Sequence, residues 1–266
     1  MKRKFGIIGI GVMGQAILSS IVGKCVLHTE EIALYDVLQE KLQPYSLQGY
    51  KVCSTPQELI DSTEYVLIAI KPQHFDSFAE SIIANENNVF ISIMAGKTLK
   101  TISNKISGSK AIARVMPNTP CQIGKGICAV CYKNCSIDNE KFVSTILTTC
   151  GETIKIDEEY FDAVTSVSGS GPAYVYMFLN GMINGGINGG LSYEQSKKLA
   201  INTLIGASML AKQSTESLST LVDKVCSKGG TTIEAVNVYR AGKLEELIGQ
   251  GIDACRKRSA ELSKDQ

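Results

Sequence analysis

Gly9-Ile10-Gly11-Val12-Met13-Gly14 has the spacing G-x-G-x-x-G, and Asp36 stands 22 residues beyond its last glycine. Between a strand and a helix, this spacing suits the pyrophosphate of a dinucleotide. The first glycine permits a tight turn, the second lets the backbone approach the phosphates, and the third lets helix and strand pack closely. The phosphates then rest on a helix N-terminus, where free N–H groups and the helix dipole favour negative charge. Asp36 is placed to accept hydrogen bonds from the ribose 2′- and 3′-hydroxyls and to repel a 2′-phosphate. Val37-Leu38-Gln39 follow it, with no immediate Arg or Ser. The expected cofactor is therefore NAD(P)H, with NADH favoured over NADPH, bound by Gly9, Gly11, Val12, Met13, Gly14 and Asp36.

Four further segments carry groups suited to binding. Lys71-Pro72-Gln73 follows the expected strand at 64–70, where loops line the ligand crevice of a dinucleotide fold. Pro72 stiffens that loop, and Lys71 can face the cofactor, an acidic substrate or solvent. Met116-Pro117-Asn118-Thr119-Pro120 also follows a strand; its prolines fix a path on which Asn118 either presents an amide to the nicotinamide or serves the turn. Ser168-Gly169-Ser170-Gly171-Pro172-Ala173-Tyr174 and Ser227-Lys228-Gly229-Gly230-Thr231-Thr232 each precede a helix. The second, a Gly-Gly turn leading into hydroxyl side chains at a helix start, suits a carboxylate. Both also read as ordinary helix caps.

The elements that must position these groups alternate through the first half. Apolar runs predict strands at 4–9, 31–36, 64–70, 89–93, 111–116 and 126–132, with helices near 12–23, 38–47, 74–84 and 98–106. A helix–strand pair at 137–149 and 151–156 closes this half. Such alternation indicates an α/β fold with a parallel sheet covered on both faces. Beyond Asp157 the pattern is helical, at 158–166, 172–188, 192–212, 215–226, 231–240 and 243–262. The expected domains are residues 1–157, binding the dinucleotide, and residues 158–266, all helical. Ser192 precedes Tyr193-Glu194-Gln195, which places Gln195 in the capping-box position. Gly181, Gly185 and Gly189 recur every four residues and predict a smooth helix face for close packing, in the core or against a partner.

Composition narrows the chemistry. Of 266 residues only His28 and His74 are histidines, which leaves little room for a His-based triad or multi-His metal centre. Lys plus Arg number 27 against 26 Asp plus Glu, a net charge of +1 that argues against a nucleic-acid partner. Nine cysteines in a chain this long fit free thiols in a reducing cytoplasm better than a secreted disulfide framework. Cys128 and Cys131, three apart on an expected strand, point to opposite faces and cannot grip one ion, so no metal is expected. Residues 5–23 and the uncharged stretch 163–193 are interrupted by glycines, so neither reads as a signal peptide or a membrane span.

Taken in order, the Gly9–Gly14 loop, Lys71-Pro72-Gln73, Met116–Pro120, Ser168–Tyr174 and Ser227–Thr232 resemble the pyrroline-5-carboxylate reductase family over nearly the whole chain. The resemblance implies a Rossmann-type domain followed by an all-α dimerisation and substrate domain. It implies reduction of L-1-pyrroline-5-carboxylate to L-proline and an intertwined homodimer, often assembled further into a homodecamer. It also implies that Ser227, Gly230, Thr231 and Thr232 receive the substrate, with the Thr232 hydroxyl facing the ring nitrogen as the catalytic group. Lys228 departs from the family, where Pro is commonest, and Asp36 departs from members that favour NADPH. A reductase of six-membered cyclic imines and a non-catalytic nucleotide-binding paralogue are the alternatives. A 3-hydroxyacid dehydrogenase would need a lysine where the central helix begins Pro172-Ala173-Tyr174.

Overall fold

The computed structural model describes residues 3–108 and 111–264. Its strands are β1 (Arg3–Ile8), β2 (Ile32–Tyr35), β3 (Lys51–Val52), β4 (Thr63–Ile68), β5 (Val89–Ser92), β6 (Ala111–Met116), β7 (Gly126–Lys133) and β8 (Gly151–Lys155). They form one sheet in the order β3-β2-β1-β4-β5-β6-β7-β8. Side chains alternate across it, as the strand period of two requires. On one face, Phe5, Ile7, Leu67, Ile91 and Val115 share a core. On the other, Ile8, Val66, Ile68, Phe90 and Ile112 share a second.

Helices cover both faces, which is why the central strands are apolar throughout. The first-half helices are α1 (Val12–Gly23), α2 (Gln43–Ser46), α3 (Pro56–Ser62), α4 (Phe75–Glu80), α5 (Leu99–Lys105), α6 (Ile137–Thr148) and α7 (Phe161–Val164). Ile17 and Ile21 of α1 and Val143 and Leu147 of α6 fill the first core. Leu59 of α3, Phe75 and Phe78 of α4 and Ile102 of α5 fill the second.

The remaining helices are α8 (Gly171–Asn188), α9 (Tyr193–Gln213), α10 (Leu218–Val225), α11 (Thr231–Ala241) and α12 (Leu244–Lys264). The capping box expected at α9 is present: Ser192 Oγ accepts from Gln195 N at 3.2 Å, and Ser192 N donates to Gln195 Oε1 at 2.9 Å. Helices α8 and α9 meet where Gly186 faces Ser196, so close that a Cβ on Gly186 would lie 2.6 Å from the Ser196 hydroxyl. The expected smooth face is elsewhere: the Cβ positions of Gly181 and Gly185 meet nothing within 4 Å.

The structure departs from the sequence reading in three places. The sheet is not wholly parallel, because β7 runs antiparallel to β6. Only Pro117 to Lys125 join the two, too short a link for the crossover that parallel strands need. Strand β3 and helix α3 were not expected, although Thr55 and Pro56 are a helix-start signature. Thr55 Oγ1 accepts from Glu58 N at 3.1 Å, and Glu58 Oε2 accepts from Ser54 N at 2.8 Å. The helix expected over 38–47 is a 3₁₀ turn, Gln39–Leu42, followed by the short α2 with Pro44 in its first turn.

The boundary expected after residue 157 falls inside the first of two compact units. One compact unit runs on to Ser170 and takes in the chain from Cys255 onward; the other is Gly171–Ala254. Residues 158–170 stay with the sheet because Phe161 is buried in its second core and Glu158 accepts from Arg114 Nη1 at 2.9 Å. The expected helix 158–166 is there a 3₁₀ turn, α7, and a π-helical turn over Thr165–Gly169.

Candidate functional site

Strand order reverses at β1, which lies between β2 and β4. Loops leaving the carboxyl ends of these strands flank the crevice at that switch point. Gly9 takes φ +97°, a left-handed conformation suited to glycine, and its N–H donates to Tyr35 O at 2.8 Å. A Cβ on Gly14 would collide with the Gly9 carbonyl, so only glycine lets α1 start this close to the turn. A Cβ on Gly11 would meet nothing within 4 Å, which leaves its side of the loop open to a ligand. Gly11 is the N-cap of α1 without a side-chain cap, and the first turn holds no acidic residue. The N–H groups at this helix start therefore lack a partner within the helix, as an anion site requires.

A cleft of about 560 Å³ opens beside this loop. Gly9, Gly11, Asp36 and Lys71 line it, together with Tyr35, Lys41, His74 and Ser77. Asp36 is only 7% exposed. Its Oδ2 accepts the Ile10 N–H at 2.7 Å and its Oδ1 accepts the Leu38 N–H at 3.0 Å. The carboxylate thus braces the glycine loop as well as facing the cleft. Val12 is exposed and Met13 half-buried at the start of α1. Pro72 opens a short 3₁₀ turn that carries the chain from Lys71 to α4.

Asn118 is not among the residues lining the cleft. Its side-chain carbonyl accepts the Ile127 N–H at 3.0 Å, and its backbone carbonyl accepts the Cys121 N–H at 3.0 Å. That geometry closes the β6–β7 connection and leaves only the amide NH₂ for a ligand. Lys41 and His74 line the cleft but were passed over in the sequence. Lys41 stands five residues after Asp36, beyond the Val37-Leu38-Gln39 stretch that directly follows it.

The second group of candidates assembles within the second unit. Gly229 takes φ +72°, Gly230 N donates to Ser227 O at 3.0 Å, and Gly230 is the N-cap of α11 without a side-chain cap. Ser227, Thr231 and Thr232 are thereby gathered at a helix start with free N–H groups. Thr231 is exposed and Thr232 half-buried; the one first-turn carboxylate, Glu234, is exposed.

Cys53, Cys121, Cys128, Cys131 and Cys150 are buried, whereas Cys25 is exposed. Cys128 lies in the first core and Cys131 in the second, on opposite faces of β7 as expected. A 3.8 Å contact with the Cys128 thiol pushes Cys121 up to about 11, and burial pushes Cys131 up to about 12. Among the described residues no group of three or more His, Cys, Asp or Glu is arranged to hold a metal. No helix among them is long and apolar enough to cross a membrane.

A glycine turn at a strand reversal, feeding an uncapped helix start beside a cleft, defines a dinucleotide-binding protein. Comparison with known proteins makes the assignment narrower. A family model described as "NADP oxidoreductase coenzyme F420-dependent" matches residues 4–96, and one described as "Pyrroline-5-carboxylate reductase dimerisation" matches residues 158–262. Pyrroline-5-carboxylate reductase of Aquifex aeolicus is 33% identical over 266 residues, which are 99% of this chain and 97% of that protein. The Synechocystis enzyme of the same name is 35% identical over 268 residues, covering 99% and 100%. The crystal structure of Plasmodium falciparum pyrroline carboxylate reductase with NADP bound superposes with a TM-score of 0.89 at 28% identity, covering 98% of each chain. The chain belongs to the pyrroline-5-carboxylate reductase family.

Proposed function

We propose that this protein reduces L-1-pyrroline-5-carboxylate to L-proline with NAD(P)H. The observation that carries this reading is a division of labour in one chain. The first unit has an open glycine turn and an uncapped α1 for a dinucleotide; the second has an uncapped, hydroxyl-flanked α11 for a carboxylate. Family membership supplies the substrate.

The residues present fit the cofactor. Gly9, Gly11 and Gly14 shape the phosphate turn, the N–H groups at Val12 and Met13 receive the phosphates, and Lys71 adds a cation at the cleft wall. Asp36 receives ribose hydroxyls and favours NADH over NADPH. When bound, the nicotinamide supplies a hydride. The protein's task is to hold the imine: the turn at Ser227 and Gly230 and the N–H groups at Thr231 and Thr232 clamp its carboxylate. The Thr232 hydroxyl donates to, or orients a proton at, the ring nitrogen. A protonated imine needs no histidine acid, consistent with the two histidines of this chain. Asn118 belongs to this reading only through its free NH₂, directed to the nicotinamide side.

A homodimer built on the helical unit belongs to the same proposal, with further association into a decamer. Ile183 and Ala200 are the only buried hydrophobic side chains between Gly171 and Ala254, whereas Tyr176, Met177, Leu199, Ile205 and Met209 are each more than half exposed. Apolar surface on this scale calls for a partner. Placement in the cytoplasm rests on nine free thiols. The deciding assay follows NADH and NADPH oxidation with pyrroline-5-carboxylate and with its six-membered homologue. Turnover with the five-membered ring supports the reading; turnover only with the six-membered ring, or with neither, overturns it.

A further inference from the structure

Asp36 is fixed in a way that limits what it can do for specificity. It is 7% exposed, and both carboxylate oxygens already accept backbone N–H groups, those of Ile10 and Leu38. It cannot swing aside for a 2′-phosphate, and part of its charge is offset by two amide dipoles. The same stretch of chain then supplies an opposite charge. Gln39–Leu42 form a 3₁₀ turn held at both ends: Gln39 Nε2 donates to Asp36 O at 2.8 Å, and Leu42 is fully buried in the first core. Within that turn Lys41 N donates to Leu38 O at 3.0 Å, and its exposed side chain lines the same cleft as Asp36. The Lys41 ammonium has no carboxylate partner among the described residues, unlike Lys4, Lys51 and Lys97, which pair with Glu64, Glu58 and Asp76.

We infer that Lys41 is a specificity-determining residue: its ammonium pairs with a 2′-phosphate at the β2 edge of the cleft, so that Asp36 and Lys41 together set a graded preference between the two cofactors. The inference rests on the reading of this cleft as the dinucleotide site. A cation beside the ribose edge is what a phosphorylated ribose requires. Lys71 is the other lysine lining the cleft, but it follows β4 rather than β2 and has no link to the Asp36 turn. It serves the pyrophosphate, which both cofactors share.

The test is equilibrium binding with the full chain, independent of turnover. NADPH and NADH are titrated by fluorescence into the wild type and into Lys41→Gln, Lys71→Gln and His74→Gln. Adenosine 2′,5′-bisphosphate and 5′-AMP serve as competing probes that differ only in the 2′-phosphate. Loss of one charge-assisted contact should raise the ratio Kd(NADPH)/Kd(NADH) about tenfold in Lys41→Gln. The bisphosphate should lose affinity relative to 5′-AMP by a similar factor. Added salt screens the Lys41 attraction, so it should raise the wild-type ratio relative to that of Lys41→Gln, where only the Asp36 repulsion remains. Lys71→Gln should weaken both dinucleotides alike. An unchanged ratio in Lys41→Gln, or a ratio that moves instead in Lys71→Gln or His74→Gln, overturns the inference while the cofactor site stands. A wild-type chain that binds neither dinucleotide overturns both.

Discussion

The Asp36 carboxylate accepts the Ile10 N–H at 2.7 Å, tying the end of β2 to the middle of the glycine loop. This bond makes Asp36→Ser a change with two effects. Removing the charge should raise NADPH use relative to NADH. Removing the acceptor should weaken both cofactors, by roughly 1 kcal/mol or a few-fold in Kd, because Ile10 loses its partner. Titration of both dinucleotides separates the effects, and an unchanged ratio removes Asp36 from specificity.

Gly11 and Gly14 give a matched pair of tests. A methyl at Gly14 meets the Gly9 carbonyl, so Gly14→Ala should lower stability by about 1–3 kcal/mol and abolish dinucleotide binding. A methyl at Gly11 meets nothing in the protein, so Gly11→Ala should keep the wild-type melting temperature yet lose dinucleotide affinity. Wild-type affinity in Gly11→Ala would show that no phosphate passes there.

Thr232→Ala should lower kcat or raise the KM for pyrroline-5-carboxylate about tenfold, as loss of a hydrogen bond to a charged group does, while dinucleotide Kd stays near normal. Thr232→Ser should restore most of the loss. Wild-type kinetics in Thr232→Ala would remove the hydroxyl from the reaction.

The exposed apolar residues of α8 and α9 predict that the protein is at least a dimer by light scattering at micromolar concentration. Tyr176→Asp and Met209→Asp should each shift it toward smaller species. A wild-type monomer would overturn the assembly.

The buried thiols predict alkaline sensitivity. Cys121 and Cys131 are raised to about 11 and about 12 in the fold, above the ordinary thiol value near 9. Above that ordinary value the unfolded chain releases protons that the folded chain keeps, so stability falls as pH rises. The contribution is complete below pH 9 and is lost between pH 9 and about 12. Melting curves should show a decline across that window, smaller in Cys131→Ala than in the wild type.

Much of this architecture was legible in the sequence because its signals are local. Apolar runs, the glycine spacing and the Ser192–Gln195 cap each act within a few residues, and each appears at its expected place. What escaped depends on distant partners. The reversal at β7 follows from a connection that Asn118 closes by bonding Ile127. In sequence an amide that serves a turn, as that of Asn118 does, looks the same as one that serves a ligand. The four-residue spacing of Gly181, Gly185 and Gly189 leaves out Gly186, the glycine that meets the Ser196 hydroxyl on the next helix. Lys41 became visible once the turn after Asp36 brought it to the cleft wall.

The end of α12 groups with the sheet, where Ser259 Oγ donates to Asp162 Oδ1 at 2.7 Å and Ser170 Oγ lies 3.3 Å from Cys255 Sγ. The nucleotide-binding unit is therefore discontinuous: its last piece is translated only after the whole helical unit has been made. During synthesis the Ser259–Asp162 bond can form only once residue 259 has left the ribosome. A cut after residue 170 would free a fragment lacking that closing piece, so no single cleavage of the chain divides it into the two units.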